Sequence, residues 1–206
     1  MNIYFVRHAE TKGNKEGRFR GRTDYPLNKN GKNQSKLLRD AIKNIDYDII
    51  YSSPMSRSYE TAEIINHKNI KIKKEELINN IDVGKWGGEK KDKIEKEYPE
   101  LWKIWWEDPE NIKFPGGESM NDLMNRTDLF MKKMKKTNHE NIIAVTHRSV
   151  LKCIFATILG LKKDFFWKFY FNNASYSRVA TNSDGRFTIM QTNESCHLNK
   201  FVVERR

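Results

Sequence analysis

The chain has 206 residues, 37% of them apolar and 32% charged, and a formal charge of +11. That length suits one well-buried domain under a very polar surface. No apolar run is long enough to span a membrane, and two cysteines, Cys153 and Cys196, make no disulfide framework and have no metal-ligand spacing.

Strands and helices alternate along the chain. Ile3 to Val6 form a first strand that begins almost at the amino terminus, which leaves no room for a signal peptide, so a cytoplasmic location is expected. A loop rich in Gly, Arg and Asn runs from Thr11 to Pro26. A helix follows over roughly Lys29 to Asn44, with Leu37, Leu38, Ala41, Ile42 and Ile45 at helical spacing. Tyr47 to Tyr51 form a second strand ending at Ser52. Ser53 is expected to cap the next helix, with Pro54 in its first turn, and that helix runs to about Ile65. A short edge strand is expected near Ile70 to Lys73. Asp92 to Glu107 reads as a helix broken at Pro99, carrying Tyr98, Leu101, Trp102, Trp105 and Trp106 over the core. After Pro115-Gly116-Gly117 a helix runs from about Met120 to Lys136. Ile142 to Val145 form a further strand ending at His147, and an apolar helix follows from Val150 to Leu159. Ser175 to Thr181 and Phe187 to Gln191 form a hairpin around Asp184-Gly185. The pattern implies a single α/β domain over 1–206, three layers deep, with a mostly parallel central sheet flanked by helices.

Three of these strands run out into a histidine or an arginine beside small polar residues: Arg7-His8, Ser52-Ser53 with Arg57, and Thr146-His147. In an open α/β sheet, ligands sit outside the carboxyl ends of the strands. Two histidines and two arginines are thereby directed to one pocket. A neutral imidazole at His8 can attack phosphorus. Arg7 and Arg57 can bind phosphate oxygens through paired hydrogen bonds, and Arg57 falls in the first turn of its helix. His147 supplies another donor, and Asn14 can orient the nucleophile or donate to phosphate. A lone histidine at a strand end is more often structural, so the case rests on the combination.

Arg7-His8-Ala9-Glu10-Thr11 followed by Asn14 resembles the signature of the histidine phosphatase superfamily, the phosphoglycerate mutase-like proteins, with Ala9 where glycine is usual. Further matching segments follow in order: Gly21 to Leu27, Ser52 to Ala62, Gly84-Lys85-Trp86 with Gly88, Pro115 to Ser119, and Val145-Thr146-His147. The resemblance covers Asn2 to about Leu198. It implies a phosphoglycerate mutase-like fold and a phosphohistidine on His8, with Arg7, Arg57 and His147 holding the phosphoryl group. It implies no metal and no cofactor. Substrate contacts are expected from Arg20, Gly21, Glu118 and Arg148, around the entrance to the pocket.

Two positions depart from that pattern. The stretch Leu77 to Gly88 places Asn80 where the family's phosphatases carry a glutamate acid, and an amide cannot donate that proton. Asp82 is the first candidate to replace it and Glu118 the second; the third option is no acid at all, with good leaving groups favoured. Asp82 reads equally well as a turn-forming residue. Arg148 follows His147 where a small residue is common. With Arg18, Arg20 and Arg22 it suggests a substrate carrying more negative charge than one phosphate.

The Trp86 segment resembles the phosphatase branch, which includes broad-specificity and α-ribazole phosphatases. The insertion typical of the mutases has no obvious room. Phosphomonoester hydrolysis of a small phosphorylated metabolite is therefore the first reading. Mutase-type transfer, and phosphate binding without turnover, are the alternatives. No groove-reading helix or aromatic stacking motif points to nucleic acid, no membrane association is expected, and a homodimer stays open.

Overall fold

The computed structural model describes residues 1–199. Four strands run parallel: β1 (Asn2–Arg7), β2 (Ile49–Ser52), β3 (Ile72–Lys74) and β4 (Asn141–Thr146). β5 (Tyr176–Thr181) and β6 (Phe187–Glu194) add an antiparallel hairpin. The six strands lie in the order β3-β2-β4-β1-β5-β6. β2, β4 and β1 are therefore neighbours, and their carboxyl ends lie side by side.

Successive strand residues point to opposite faces. Ile3, Phe5, Ile142 and Ala144 go into one apolar cluster, while Val6, Ile143 and Val145 go into another. Both faces must therefore be covered, as expected for strands that read as continuous apolar runs. α2 (Lys29–Ala41) and α3 (Ser56–Ile65) cover one face through Leu38, Ala62 and Ile65. α6 (Met120–Lys135) and α7 (Arg148–Ile158) cover the other through Leu123, Phe130, Leu151 and Phe155. The remaining helices, α1 (Lys12–Lys15), α4 (Lys91–Glu97) and α5 (Pro99–Glu107), lie in the connections on the way. Pro99 separates α4 from α5 as expected. Trp105 and the fully buried Trp86 pack on Phe19 and Phe114, so these two tryptophans belong to the core.

Sidechain caps set the helix starts near the strand ends. Thr11 and Asn14 form a capping box on α1, and Asn28 accepts from Gly31 N at 2.8 Å to open α2. Gly31 admits no side chain: a Cβ there would sit 2.1 Å from the Glu10 carbonyl oxygen. This close approach presses α2 onto the loop that follows His8.

Among the boundaries that differ from the sequence reading, two bear on the site. α3 starts at Ser56, not at Ser53-Pro54, and its preceding residue Met55 makes no side-chain cap. The Ser53 hydroxyl is drawn instead to His147 Nε2, 2.8 Å away. α7 starts at Arg148, two residues earlier than the apolar run alone indicates. Arg148 is therefore helical, and its side chain shares a face with the residue one turn on.

Candidate active site

His8 follows β1 directly and is almost fully buried. Its Nδ1 lies 2.7 Å from the carbonyl oxygen of Ala9. A carbonyl can only accept, so Nδ1 carries the proton and Nε2 keeps its lone pair. Burial holds the His8 pKa well below that of free imidazole, and the charges of Arg57, Arg7 and Arg20 push it the same way. The ring is neutral at pH 7, which is the form that can act as a nucleophile. Its backbone is braced too: His8 N donates to the Thr146 carbonyl at 2.9 Å, and Asn173 Nδ2 donates to the His8 carbonyl at 3.0 Å.

His147 extends β4, and its ring centroid is 5.1 Å from that of His8. Burial, then the charge of Arg57, lowers its pKa well below the ordinary value. Its Nε2 faces the hydroxyls of Ser53 at 2.8 Å and Ser58 at 3.3 Å, whereas its buried Nδ1 has no hydrogen-bond partner among the described residues. An Nδ1–H in that position is a donor held ready for an anion.

Arg57 is the second residue of α3 and is fully buried. Its Nη2 donates to the Gly21 carbonyl at 2.8 Å and its Nη1 to the Thr23 carbonyl at 3.1 Å, with Asp24 Oδ1 at 3.5 Å. Burial, then repulsion from Arg20, lowers its pKa to about 9. Arg7, also buried, donates through Nη1 to the Phe171 carbonyl at 2.7 Å. Cationic groups thus destabilise one another here, and an anion relieves them all.

Gly21 (φ +48°) takes a left-handed conformation that favours glycine. Its carbonyl accepts from Arg57 and also from Asn80 Nδ2, each at 2.8 Å. Asn80 therefore ties two loops together. A carboxylate in the same place would face that carbonyl as a second acceptor.

The cavity beside His8 is lined by Arg7 and His147 and by Arg18, Arg20, Lys91, Arg148 and Lys152, whereas Arg57 and Asn14 are not among its lining residues. Its wall is aromatic, with Phe19, Trp105, Phe166, Trp167, Phe169 and Tyr170. Among the described residues no Asp or Glu lines it. Arg20 and Arg148 border the cavity as expected, with the Arg148 guanidinium 5.9 Å from the Tyr170 ring centroid.

Asp82 and Glu118 are not brought to this cavity. Asp82 Oδ1 accepts from Gly84 N at 2.9 Å, a turn within its own segment, and its side chain is about one-third exposed beside Arg22. The turn-forming reading of Asp82 accounts for this geometry, and the expectation of an acid pointing into the pocket does not. Glu118 Oε1 accepts from Arg126 Nε at 2.8 Å and from Arg22 Nη2 at 3.2 Å; Oε2 accepts from Arg126 Nη2 and from Asp82 N. Although burial opposes it, this set of donors holds the Glu118 pKa below the ordinary carboxylate value. Glu118 is an ionised brace and does not line the cavity. Asn14 is buried after His8, and its Oδ1 accepts from Thr11 N at 3.0 Å and Thr11 Oγ1 at 2.8 Å. It thereby shapes the loop that carries the nucleophile.

The sequence reading gives no site role to Lys152, to Asn173 or to Ser53 and Ser58, whose hydroxyls meet His147. Lys152 carried a readable signal, since it lies four residues after Arg148 within an otherwise apolar helix.

The model of the histidine phosphatase superfamily (branch 1) matches residues 3–195. Phosphoserine phosphatase 1 of Hydrogenobacter thermophilus is 37% identical over 206 residues, covering 99% of this chain and 97% of its own length. The solved structure of Bacillus stearothermophilus YhfR superposes with a TM-score of 0.89 at 28% identity, covering 95% of this chain and 98% of that one. The α-ribazole phosphatase of Shigella flexneri superposes with a TM-score of 0.88 at 22% identity, covering 95% and 97%; at that identity the likeness concerns the fold.

Proposed function

We infer that this chain, which belongs to the histidine phosphatase superfamily and is a phosphatase, hydrolyses a small phosphorylated metabolite through a phosphohistidine on His8. The observation that carries this reading is the His8 ring. Its proton is held on Nδ1 by the Ala9 carbonyl, which leaves Nε2 bare, and the residue lines a pocket of cations.

In the first step Nε2 attacks phosphorus in line. The P–N bond forms as the ester P–O bond breaks, and the leaving oxygen takes up a proton. Water then attacks the phosphohistidine, releasing inorganic phosphate and restoring the neutral ring. Arg7, Arg57 and His147 hold the equatorial oxygens, whose charge must be stabilised throughout. Arg57 has the most to gain, because an anion beside it reverses the burial penalty on its charge. Asn14 and Gly21 shape the nucleophile's loop and the Arg57 anchor, while Arg20 and Arg148 border the path of the substrate. With Asn80 donating to Gly21 and no described carboxylate on the cavity wall, the leaving oxygen is protonated from solvent. Esters of weakly basic alcohols are then the faster substrates. The two cysteines, one buried and one exposed, are free thiols, in keeping with the cytoplasm.

The test is acid-quenched trapping of the phosphoenzyme with p-nitrophenyl phosphate, the modified residue being identified by mass spectrometry. A phosphoryl group on His8, and hydrolysis without any bisphosphorylated primer, are expected. A phosphoryl group on another residue would overturn the assignment, and an absolute need for primer would favour mutase-type transfer.

A further inference from the structure

The peptide between His8 and Ala9 is held at both of its polar ends by buried side chains that the chemistry itself does not use. Asn173 Nδ2 donates to the His8 carbonyl at 3.0 Å, and Ala9 N donates to Thr61 Oγ1 at 3.1 Å. Thr61 is fully buried and Asn173 is 5% exposed. The Asn173 amide can face the His8 carbonyl only through its nitrogen, because its oxygen would meet a second acceptor. Its Oδ1 is buried and has no hydrogen-bond partner among the described residues. The side chain thus serves the His8 carbonyl while its own acceptor stays unmet. Ala174, next along, keeps a left-handed backbone (φ +54°), which a Cβ resists. Its N–H lies between the Arg7 carbonyl at 3.1 Å and the His8 carbonyl at 3.4 Å.

A threonine hydroxyl inside a helix commonly donates to the carbonyl four residues back, and Thr61 does so to Arg57 at 2.7 Å. That bond uses its only proton and leaves a lone pair for the N–H of Ala9. One oxygen therefore joins the backbone of Arg57 in α3 to the backbone that follows β1. The consequence for His8 is geometric. A peptide unit is planar, so fixing its carbonyl and its N–H fixes the backbone rotations on either side, in His8 and in Ala9. Those rotations set where the Ala9 carbonyl stands relative to the His8 ring, and that carbonyl keeps the proton on Nδ1, 2.7 Å away. A freed peptide would let the ring take the other tautomer, with its lone pair on Nδ1 and not on Nε2.

We propose that Thr61 and Asn173 are positioning residues for the nucleophile: together they clamp the His8–Ala9 peptide, so that His8 keeps a bare Nε2 in register with Arg57. Neither residue lines the cavity, so each acts through His8. The proposal rests on the reading of His8 as the nucleophile and adds what holds that nucleophile ready. The strained turn at Ala174 belongs to the same clamp, since its N–H steadies the carbonyl that Asn173 holds.

Three variants measure the clamp. Thr61→Val keeps the shape and removes the hydroxyl, Thr61→Ser keeps the hydroxyl, and Asn173→Ala removes the other end. On p-nitrophenyl phosphate, Thr61→Val is expected to lower kcat by about 10- to 100-fold, the scale of a small misplacement of a reacting group. Inhibition by inorganic phosphate, which reads the anion site, should change by less than about 3-fold. Thr61→Ser should restore kcat. Asn173→Ala should show the same split, and it carries the test if Thr61→Val does not fold by circular dichroism. Nitrogen-15 NMR without substrate supplies a signature that a purely structural role would not move. Wild-type His8, its signals identified by their loss in His8→Ala, should show a protonated Nδ1 and a bare Nε2, and the folded variants a mixture of tautomers. Wild-type kcat in folded Thr61→Val would overturn the clamp, as would a loss confined to phosphate affinity, a Thr61→Ser as slow as Thr61→Val, or an unchanged His8 tautomer. Failure of the phosphohistidine reading looks different: p-nitrophenyl phosphate turnover is absent from the wild type or survives in His8→Ala, and the NMR comparison still decides the clamp.

Discussion

The inner and outer ends of the cavity are built in opposite ways. The inner end comes from the ends of β1 and β4, and its groups, like Arg57 of α3, are held by backbone carbonyls: Ala9 on His8, Phe171 on Arg7, Gly21 and Thr23 on Arg57. The outer end is assembled from the loop around Arg18 to Gly21, the Asn80 segment, α7 and the stretch Phe166 to Tyr170. Its cations stand against aromatic rings. Chemistry that must be geometrically fixed sits on the sheet. Selectivity is carried where side chains can change without moving a strand.

That division predicts the ranking of mutational effects. His8→Ala removes the nucleophile and is expected to lower kcat on p-nitrophenyl phosphate by a factor on the order of 1,000 or more. Arg57→Met removes a buried guanidinium from the phosphoryl group and should cost about 3 kcal/mol of transition-state stabilisation, read as a loss of roughly 100-fold in kcat/KM. Arg20→Met, on the outer wall, should cost less on this small ester. An outer-wall substitution that matched Arg57→Met on p-nitrophenyl phosphate would break the division.

The pH response follows from the same charges. His8 and His147 both titrate well below the ordinary imidazole value in the fold. The unfolded chain therefore binds more protons than the native one below about pH 6.5, where free imidazole titrates. The stability contributed by these two neutral rings is present above that pH and is lost as pH falls through their folded pKa values. Urea midpoints should fall with acid from about pH 6.5 downward. The rate should hold from neutral pH into mildly acidic solution, because His8 stays unprotonated there. Arg20→Met removes one of the charges that depress His8, so the acid limb of its kcat/KM profile should move to higher pH. A limb that moves down, or does not move, would show that Arg20 is electrically remote from His8.

The sequence is most legible where local pattern and global fold agree. Apolar runs ending in Arg7-His8 and Thr146-His147 announce both a strand and its site, and the parallel order of β2, β4 and β1 does the rest. The start of α3 departs from the sequence pattern although a Ser-Pro pair is a sound local cap signal. A tertiary partner, His147, outbids the helix for the Ser53 hydroxyl. The burial of Lys152 is illegible for the converse reason. A lysine in a helix normally lies in solvent, and only the packing of Phe166 and Trp167 reveals that this one is buried at a cavity. The candidate acids Asp82 and Glu118 are illegible too, because their spacing from Asn80 says nothing about the direction of their carboxylates.

The last comparison concerns those two carboxylates. Glu118 holds Arg126, and Arg126 in turn donates to the carbonyls of Leu77, Asn79 and Asn80. Glu118→Gln leaves that guanidinium without its carboxylate in a mostly buried place and should destabilise the fold by about 2 kcal/mol, measured by urea unfolding. Its acid limb of kcat/KM should stay with that of the wild type. Asp82→Asn should do still less. The asparagine oxygen can accept from Gly84 N as the aspartate does, the ion pair with Arg22 is long at 3.9 Å, and the side chain is partly exposed. The expected change is about 0.5 kcal/mol in stability and less than about 3-fold in kcat on p-nitrophenyl phosphate, since general acid catalysis, where present, contributes at least about 100-fold. The discriminating substrate is an ester with a poor leaving group, such as phosphoserine. If Asp82→Asn loses about 100-fold there and little on p-nitrophenyl phosphate, the segment from Asn80 to Gly84 rearranges in the substrate complex and Asp82 is the proton donor after all. If both rates hold, the leaving oxygen draws its proton from water, and the brace and the turn are all that these two carboxylates provide.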